Sequence, residues 1–229
     1  MILGQWIISA IVRPLVALAL PYEVEGQHNL PRHGPVVLVM NHVNLLDVVL
    51  PGLFLPRQVI MLSKIENFRA PVLGLFVRAY GSLPLHRGEV DLQAMRLSLG
   101  ALKKGQVLVI APEGTRSGHG RLQLGLEGFA FVAAQANVPV VPFVQYGHEN
   151  FLDNLKHLRR TRLHIRVGEP FRFRLSGRRQ RSELRTMTDE AMYRLAALLP
   201  PEYRGVYDDL DHATSDYIEP YPSPAGEAH

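Results

Sequence analysis

The chain has 229 residues, 47% hydrophobic and 20% charged, with a formal net charge of +4; this balance fits one α/β domain with small additions and excludes global disorder. There is no cysteine, which excludes disulfides, thiolate metal sites and a thiol nucleophile and is compatible with a reducing cytoplasm. The charge is uneven: residues 156–185 hold eleven Lys/Arg against Glu169 and Glu183, and residues 202–229 hold seven acids against Arg204. The basic run reads either as a solvated face or as a surface for anionic lipid headgroups or an acidic carrier.

Residues 1–20 are apolar except for Gln5 and Arg13, with some Gly, Ser and Pro. A helix of that length, at about 1.5 Å per residue, just matches a bilayer core of about 30 Å. Arg13-Pro14 in its middle opposes a span, because a charge is costly at the bilayer centre and proline kinks a helix. No basic segment precedes the stretch and no small-residue cleavage site follows it, against a signal peptide. The expectation is a helix lying in or dipping into one leaflet, with Trp6 at the interface; the alternative is a helix packed on the domain's own core.

A turn-rich stretch, 21–34, comes next. Apolar runs then predict buried strands over 36–40, 59–62, 82–85, 107–111, 138–144 and 163–167. Helical patterns are predicted over 45–53, 68–80, 91–104, 125–135 and 182–199, with Gly105 just beyond the third. From about Gly205 the chain is acidic and contains Pro220, Pro222 and Pro224, expected as a mobile tail or a surface strap. The organisation is therefore a membrane-interacting helix (1–22), one catalytic domain (23–204) and an acidic tail (205–229). Strands alternating with helices predict an α/β domain with a mostly parallel central sheet covered on both faces. In such sheets ligands collect at the carboxyl ends of strands.

Two blocks stand at such ends. Asn41-His42-Val43-Asn44-Leu45-Leu46-Asp47 follows the strand at 36–40, and Pro112-Glu113-Gly114-Thr115-Arg116-Ser117 follows the one at 107–111. A histidine can take a proton from an attacking alcohol, and a carboxylate on its other nitrogen fixes the tautomer. The spacing alone is weak: three His-x4-Asp pairs occur, His42/Asp47, His86/Asp91 and His148/Asp153. Only His42 directly follows a clear apolar strand, so the other two pairs are read as incidental. In the second block, Arg116 offers a planar fork for phosphate oxygens, Gly114 allows close backbone approach, and Thr115 and Ser117 add donors. Neither a nucleotide phosphate loop nor a Gly-x-Ser-x-Gly elbow is present.

Together the blocks resemble the glycerolipid acyltransferase family, in its subgroup of bacterial 1-acylglycerol-3-phosphate acyltransferases (PlsC-like). Its Asn-His-x4-Asp block is matched at Asn41 to Asp47 and its Pro-Glu-Gly-Thr-Arg-Ser block at Pro112 to Ser117. A Gly…Arg block is matched at Gly81 to Gly88, and a Val-Pro-x-x-Pro strand at Val138 to Pro142. The match covers residues 41–142, and the flanks fit only loosely. Three positions depart from the family pattern. Asn44 stands where a serine is common, His86 where an acid is common, and Leu122-Gln123-Leu124-Gly125 replaces an aromatic-basic-basic-Gly segment.

The resemblance implies transfer of a fatty acyl group from acyl-CoA or acyl carrier protein to 1-acylglycerol-3-phosphate, forming phosphatidate. It implies His42 as general base and Asp47 as its orienting partner, with no covalent acyl-enzyme. Arg87 and Arg116 would hold the acceptor phosphate, and Asn41, Glu113, Gly114, Thr115 and Ser117 would complete the acceptor site. No metal and no cofactor beyond the thioester co-substrate is implied, and the place of action is the cytoplasmic face of the cell membrane. Segments 50–55 and 72–80 are candidates to line an acyl slot. The alternatives are the same chemistry on another lysophospholipid, an ornithine lipid or a glycolipid, or a non-catalytic basic lipid- or nucleic-acid-binding protein. Few aromatics interleave with the basic run, which speaks against nucleic acid as a partner.

Overall fold

The computed structural model describes residues 3–44, 46–86, 91–174 and 181–223. Helix α1 (Leu3–Ala19) is followed by β1 (Tyr22–Glu25), β2 (Val36–Met40), α2 (Leu50–Phe54), β3 (Val59–Lys64), α3 (Ile65–Arg69), α4 (Pro71–Ala79) and β4 (Leu83–Leu85). Then come α5 (Leu92–Lys103), β5 (Val107–Ile110), α6 (Gly128–Ala136), β6 (Val140–Tyr146), α7 (Phe151–Lys156), β7 (Leu163–Val167), β8 (Phe171–Phe173), α8 (Arg181–Leu198) and β9 (Ile218–Pro220). The strands form one sheet ordered β1-β7-β6-β2-β5-β3-β4, with β8 on β6 and β9 on β8. From β6 to β4 the strands run parallel, while β7 and β8 are antiparallel to β6. This is the α/β class with a mostly parallel sheet expected from the alternating pattern.

The central strands are valine-rich because both of their faces are covered. Along β2, Val37 and Val39 point into one core and Val36, Leu38 and Met40 into the other; β5 and β6 alternate in the same way. The first core is closed by α5, α6 and α8, the second by α1, α2 and Tyr80 beyond α4. Each fully buried aliphatic side chain contributes about 1.5–3 kcal/mol, so these layers set the sheet's register. At β2 and β5 the pairing is Val39 with Ile110, and at β2 and β6 it is Met40 with Phe143. All three strands therefore release their chains at one edge, where both sequence blocks lie.

Boundaries differ from the pattern where a local rule wins. The helix expected over 68–80 is two helices, because Ala70 precedes a proline and is held extended at ψ 133°. The helix expected from 125 starts at Gly128, since the Gly125 and Leu126 N–H groups are taken by the Tyr207 hydroxyl and the Pro112 carbonyl. β1 lies inside the stretch read as turns; it is a short, mostly exposed edge strand on β7, with Glu23 and Glu25 paired to His164 and Arg166.

The expected C-terminal tail is a strap built into the fold as far as Pro220. Gly205 sits at φ 58°, where an added Cβ would meet the Leu122 carbonyl oxygen at 2.0 Å. Tyr207 is buried, its hydroxyl donating to Asp189 at 2.9 Å. The buried Glu190 carboxylate accepts from Thr214, Asp216 and Tyr217. Ile218 then enters the first core and β9 pairs with β8. The composition of the segment is acidic, but its anchors are single buried residues that composition does not reveal.

Among the described residues, no helix is long and apolar enough to cross a membrane. Helix α1 packs through Ile8, Val12 and Val16 against the second core, and Ser9 donates to the Gly52 carbonyl at 3.2 Å. Its other side carries Trp6 (57% exposed), Ile7 and Ile11 (58%). One side of the helix is on the core, and the other is apolar and open.

Candidate active site

His42 lies two residues beyond β2. Its Nδ1 is 3.0 Å from Asp47 Oδ2, its side chain is 12% exposed, and Asp47 is fully buried. The turn between them is tied by the same carboxylate, because the Val43 and Asn44 N–H groups also donate to Oδ2. Asn44 adds its side chain: Oδ1 accepts from Leu46 N–H at 2.9 Å and Nδ2 donates to the His148 carbonyl at 3.1 Å. A short 3-10 turn, Leu46–Val48, then presents Asp47 inward. Burial pushes the Asp47 carboxyl up, but hydrogen bonds from His148 and His42 outweigh it and hold the group below its ordinary value. Asp47 is therefore an acceptor, and His42 donates to it from Nδ1.

The second block closes on the first. Ser117 N–H donates to the His42 carbonyl at 2.8 Å, and Gly118 N–H to the Val43 carbonyl at 3.2 Å. Glu113 Oε1 accepts from His42 N–H at 2.9 Å, and Oε2 accepts from the Gln123 backbone at 3.0 Å and its side-chain amide at 3.3 Å. Burial raises the Glu113 carboxyl, opposed by those donors. Gly114 makes the turn at φ 67°, where an added Cβ would stand 2.6 Å from Leu126. Thr115 and Arg116 are exposed, and Ser117 Oγ accepts from Gly120 N–H at 3.1 Å. A cleft of about 500 Å³ opens beside Glu113, lined also by His119, Arg121, Gln123, Leu124 and Val206.

The structure thus brings His42, Asp47, Glu113, Gly114 and Ser117 together and leaves Thr115 and Arg116 facing outward. Asn41 and Glu113, expected to meet the acceptor, are buried ties. Asn41 is 1% exposed and exchanges two hydrogen bonds with the Gln145 backbone, at 2.8 and 3.0 Å, which fastens β2 to β6. Arg87 lies outside the described residues. Residues Leu50, Leu53, Phe54 and Tyr80 from the expected acyl-lining segments are buried in the second core.

The three His-x4-Asp pairs separate in space. His86 and Asp91 do touch, at 3.1 Å, but on the surface, where Asp91 caps α5 by accepting from Ala94 N–H. His148 does not pair with Asp153, whose partner is His157. It pairs instead with Asp47: His148 Nε2 is 2.6 Å from Asp47 Oδ1, and both side chains are fully buried. His148 was read from the sequence as incidental and belongs to the site. Its signal was its place two residues beyond β6, at the strand edge that carries both blocks.

Residues 21–146, more than half of the chain, match the family model described as Acyltransferase. A chloroplastic 1-acyl-sn-glycerol-3-phosphate acyltransferase of Brassica napus is 35% identical over 128 residues, 55% of this chain and 37% of its own length. One of Arabidopsis thaliana is 36% identical over 127 residues, 54% of this chain and 35% of its own length. The aligned stretch is thus little more than a third of the length of either relative. The crystal structure of the 1-acyl-sn-glycerophosphate (LPA) acyltransferase PlsC from Thermotoga maritima shares the fold. Its TM-score is 0.64 at 23% identity, covering 81% of this chain and 75% of that one. The matched stretch contains both blocks and the three strands that carry them, and this chain belongs to the acyltransferase family.

Proposed function

We propose that the protein transfers a fatty acyl group from acyl-CoA or acyl carrier protein to the free hydroxyl of 1-acylglycerol-3-phosphate, giving phosphatidate. The observation that carries this reading is His42: Nδ1 is held by a buried carboxylate, and the partly exposed ring stands beside a loop whose Arg116 faces solvent. His42 Nε2 takes the hydroxyl proton as the oxygen attacks the thioester carbonyl. The C–O bond forms, the C–S bond breaks, and the imidazolium returns its proton to the leaving thiolate. Asp47 stabilises the imidazolium while it exists. No nucleophilic side chain is consumed, in keeping with a chain that has no cysteine.

Arg116 binds the acceptor phosphate through its guanidinium fork, and Arg87 is proposed to share that task. The names of the two plant relatives support a 1-acylglycerol-3-phosphate acceptor. The open apolar side of α1, with Trp6, Ile7 and Ile11, is proposed to rest on the cytoplasmic face of the membrane that supplies the lipid. Leu152, Leu155 and Leu158, exposed beside Lys156, Arg159 and Arg160, are proposed as a second apolar-basic contact with that membrane.

The test is acyl transfer from palmitoyl-CoA to lysophosphatidate, compared with uncharged monoacylglycerol and lysophosphatidylethanolamine. Lysophosphatidate is expected to be preferred. Arg116→Ala should raise its KM by about tenfold or more, the scale of a lost charge-assisted hydrogen bond, with little effect on monoacylglycerol. Transfer to another acceptor and none to lysophosphatidate would overturn the acceptor assignment.

A further inference from the structure

Asp47 has two oxygens with different partners. Oδ2 is occupied by His42 Nδ1 and by the Val43 and Asn44 N–H groups. Oδ1 faces His148 Nε2 at 2.6 Å. Both oxygens are fully buried, so a carboxylate with Oδ1 unpaired would carry an unsolvated charge and turn in search of a donor. The His148 ring cannot drift, because the backbone beside it is held from two sides. Its carbonyl accepts from Asn44 Nδ2 at 3.1 Å and from Phe151 N–H at 3.1 Å. Its Nδ1 is buried and has no hydrogen-bond partner among the described residues, where the ring's one hydrogen bond is to Asp47.

We infer that His148 is a positioning residue for the proposed reaction: by donating Nε2–H to Asp47 Oδ1 it fixes the carboxylate plane so that Oδ2 meets His42 Nδ1. This rests on His42 acting as the general base. The bond has a second consequence. A donor on Oδ1 withdraws negative charge from the carboxylate, so Asp47 grips a protonated His42 less tightly than it would alone. Among the described residues, charged groups near the pair include Glu113, bonded to the His42 backbone, and Glu149, which takes Gly147 N–H and the Tyr203 hydroxyl. Arg116 stands exposed on the second block. None of these contacts Asp47 Oδ1.

The experiment compares His148→Phe, which keeps the ring but removes the donor, with His148→Gln, which restores one. Both are assayed with palmitoyl-CoA and lysophosphatidate across pH, and thermal unfolding reports the fold. For His148→Phe, kcat should fall by about tenfold or more with KM for both substrates within about twofold. The acid limb of its kcat/KM profile should move to higher pH. His148→Gln should regain most of kcat and bring the limb back. A folded His148→Phe with the original kcat and acid limb would overturn the inference. So would equal losses in both variants with the limb unmoved, the behaviour of a core filler. If His148→Phe does not fold, His148→Gln decides: kcat within about threefold of the parent supports the donor role, and a folded variant as slow as His42→Ala refutes it. His42→Ala, run alongside, separates the two readings, because its retained activity would remove the base assignment itself.

Discussion

His42 and Glu113 occupy matching positions just beyond the ends of neighbouring parallel strands. Val39 pairs with Ile110, and three residues beyond each the chain reaches His42 and Glu113, joined by His42 N–H and Glu113 Oε1 at 2.9 Å. The proposed base is thereby fastened through its backbone to the block proposed to bind phosphate. A buried acid so placed is proposed to work by position rather than by touching the acceptor.

Replacing it tests that distinction. Glu113→Gln keeps an acceptor for His42 N–H but turns an amide N–H toward the donors of Gln123, now paired with Oε2. A donor left unpaired in a buried site costs about 1–3 kcal/mol. The variant should unfold at a lower temperature and lose kcat, with KM for lysophosphatidate close to the parent value. A rise in KM alone would place Glu113 on the substrate instead.

Acid stability follows from two aspartates. Asp91 is held at about 2 by hydrogen bonds from the His86 and Ala94 N–H groups, against an ordinary 3.8. Asp47 is also held below its ordinary value. Both folded-state values are lowered, so the stability they add is present above about pH 4 and is lost as pH falls toward 2. Asp91→Ala should cost about 1 kcal/mol at pH 7 as a lost helix cap, and its deficit should shrink on acidification. Denaturant melts at pH 7, 4 and 2.5 measure this, and a deficit that grows toward low pH would contradict it.

The proposed membrane contact through α1 should be separable from folding. Trp6 and Ile11 are more than half exposed, so Trp6→Glu with Ile11→Glu should leave the melting temperature within about 1–2 °C of the parent, as surface changes do. Co-sedimentation with vesicles containing anionic lipid should fall by about tenfold or more, because two apolar anchors become charges. Unchanged vesicle binding would move the contact elsewhere on the surface.

The sheet and both blocks were legible because they rest on local signals. Valine runs mark doubly covered strands, and the blocks follow them directly. β1 was not, since Tyr22–Glu25 is an edge strand with no apolar pattern; the strap was one of two expectations for the tail, because its hold depends on Tyr207, Glu190 and Ile218 meeting distant partners. His148 was set aside with its incidental pair because it stands in a loop, whereas its actual partner, Asp47, lies 101 residues away in sequence. Asn41 was placed in the acceptor site through the family resemblance, whereas its side chain bonds the Gln145 backbone across the strand pairing. Spacing along the chain proposes such contacts, and strand register decides them.

The central claim is that His42 removes the acceptor's proton. The direct test is the single-turnover rate of acyl transfer from palmitoyl-CoA to lysophosphatidate by the parent protein and by His42→Ala, with folding checked by thermal melt. A loss of about a hundredfold or more is expected, the scale of a general base, with the melting temperature little changed. A folded His42→Ala protein that still transfers the acyl group at near the parent rate would contradict the account.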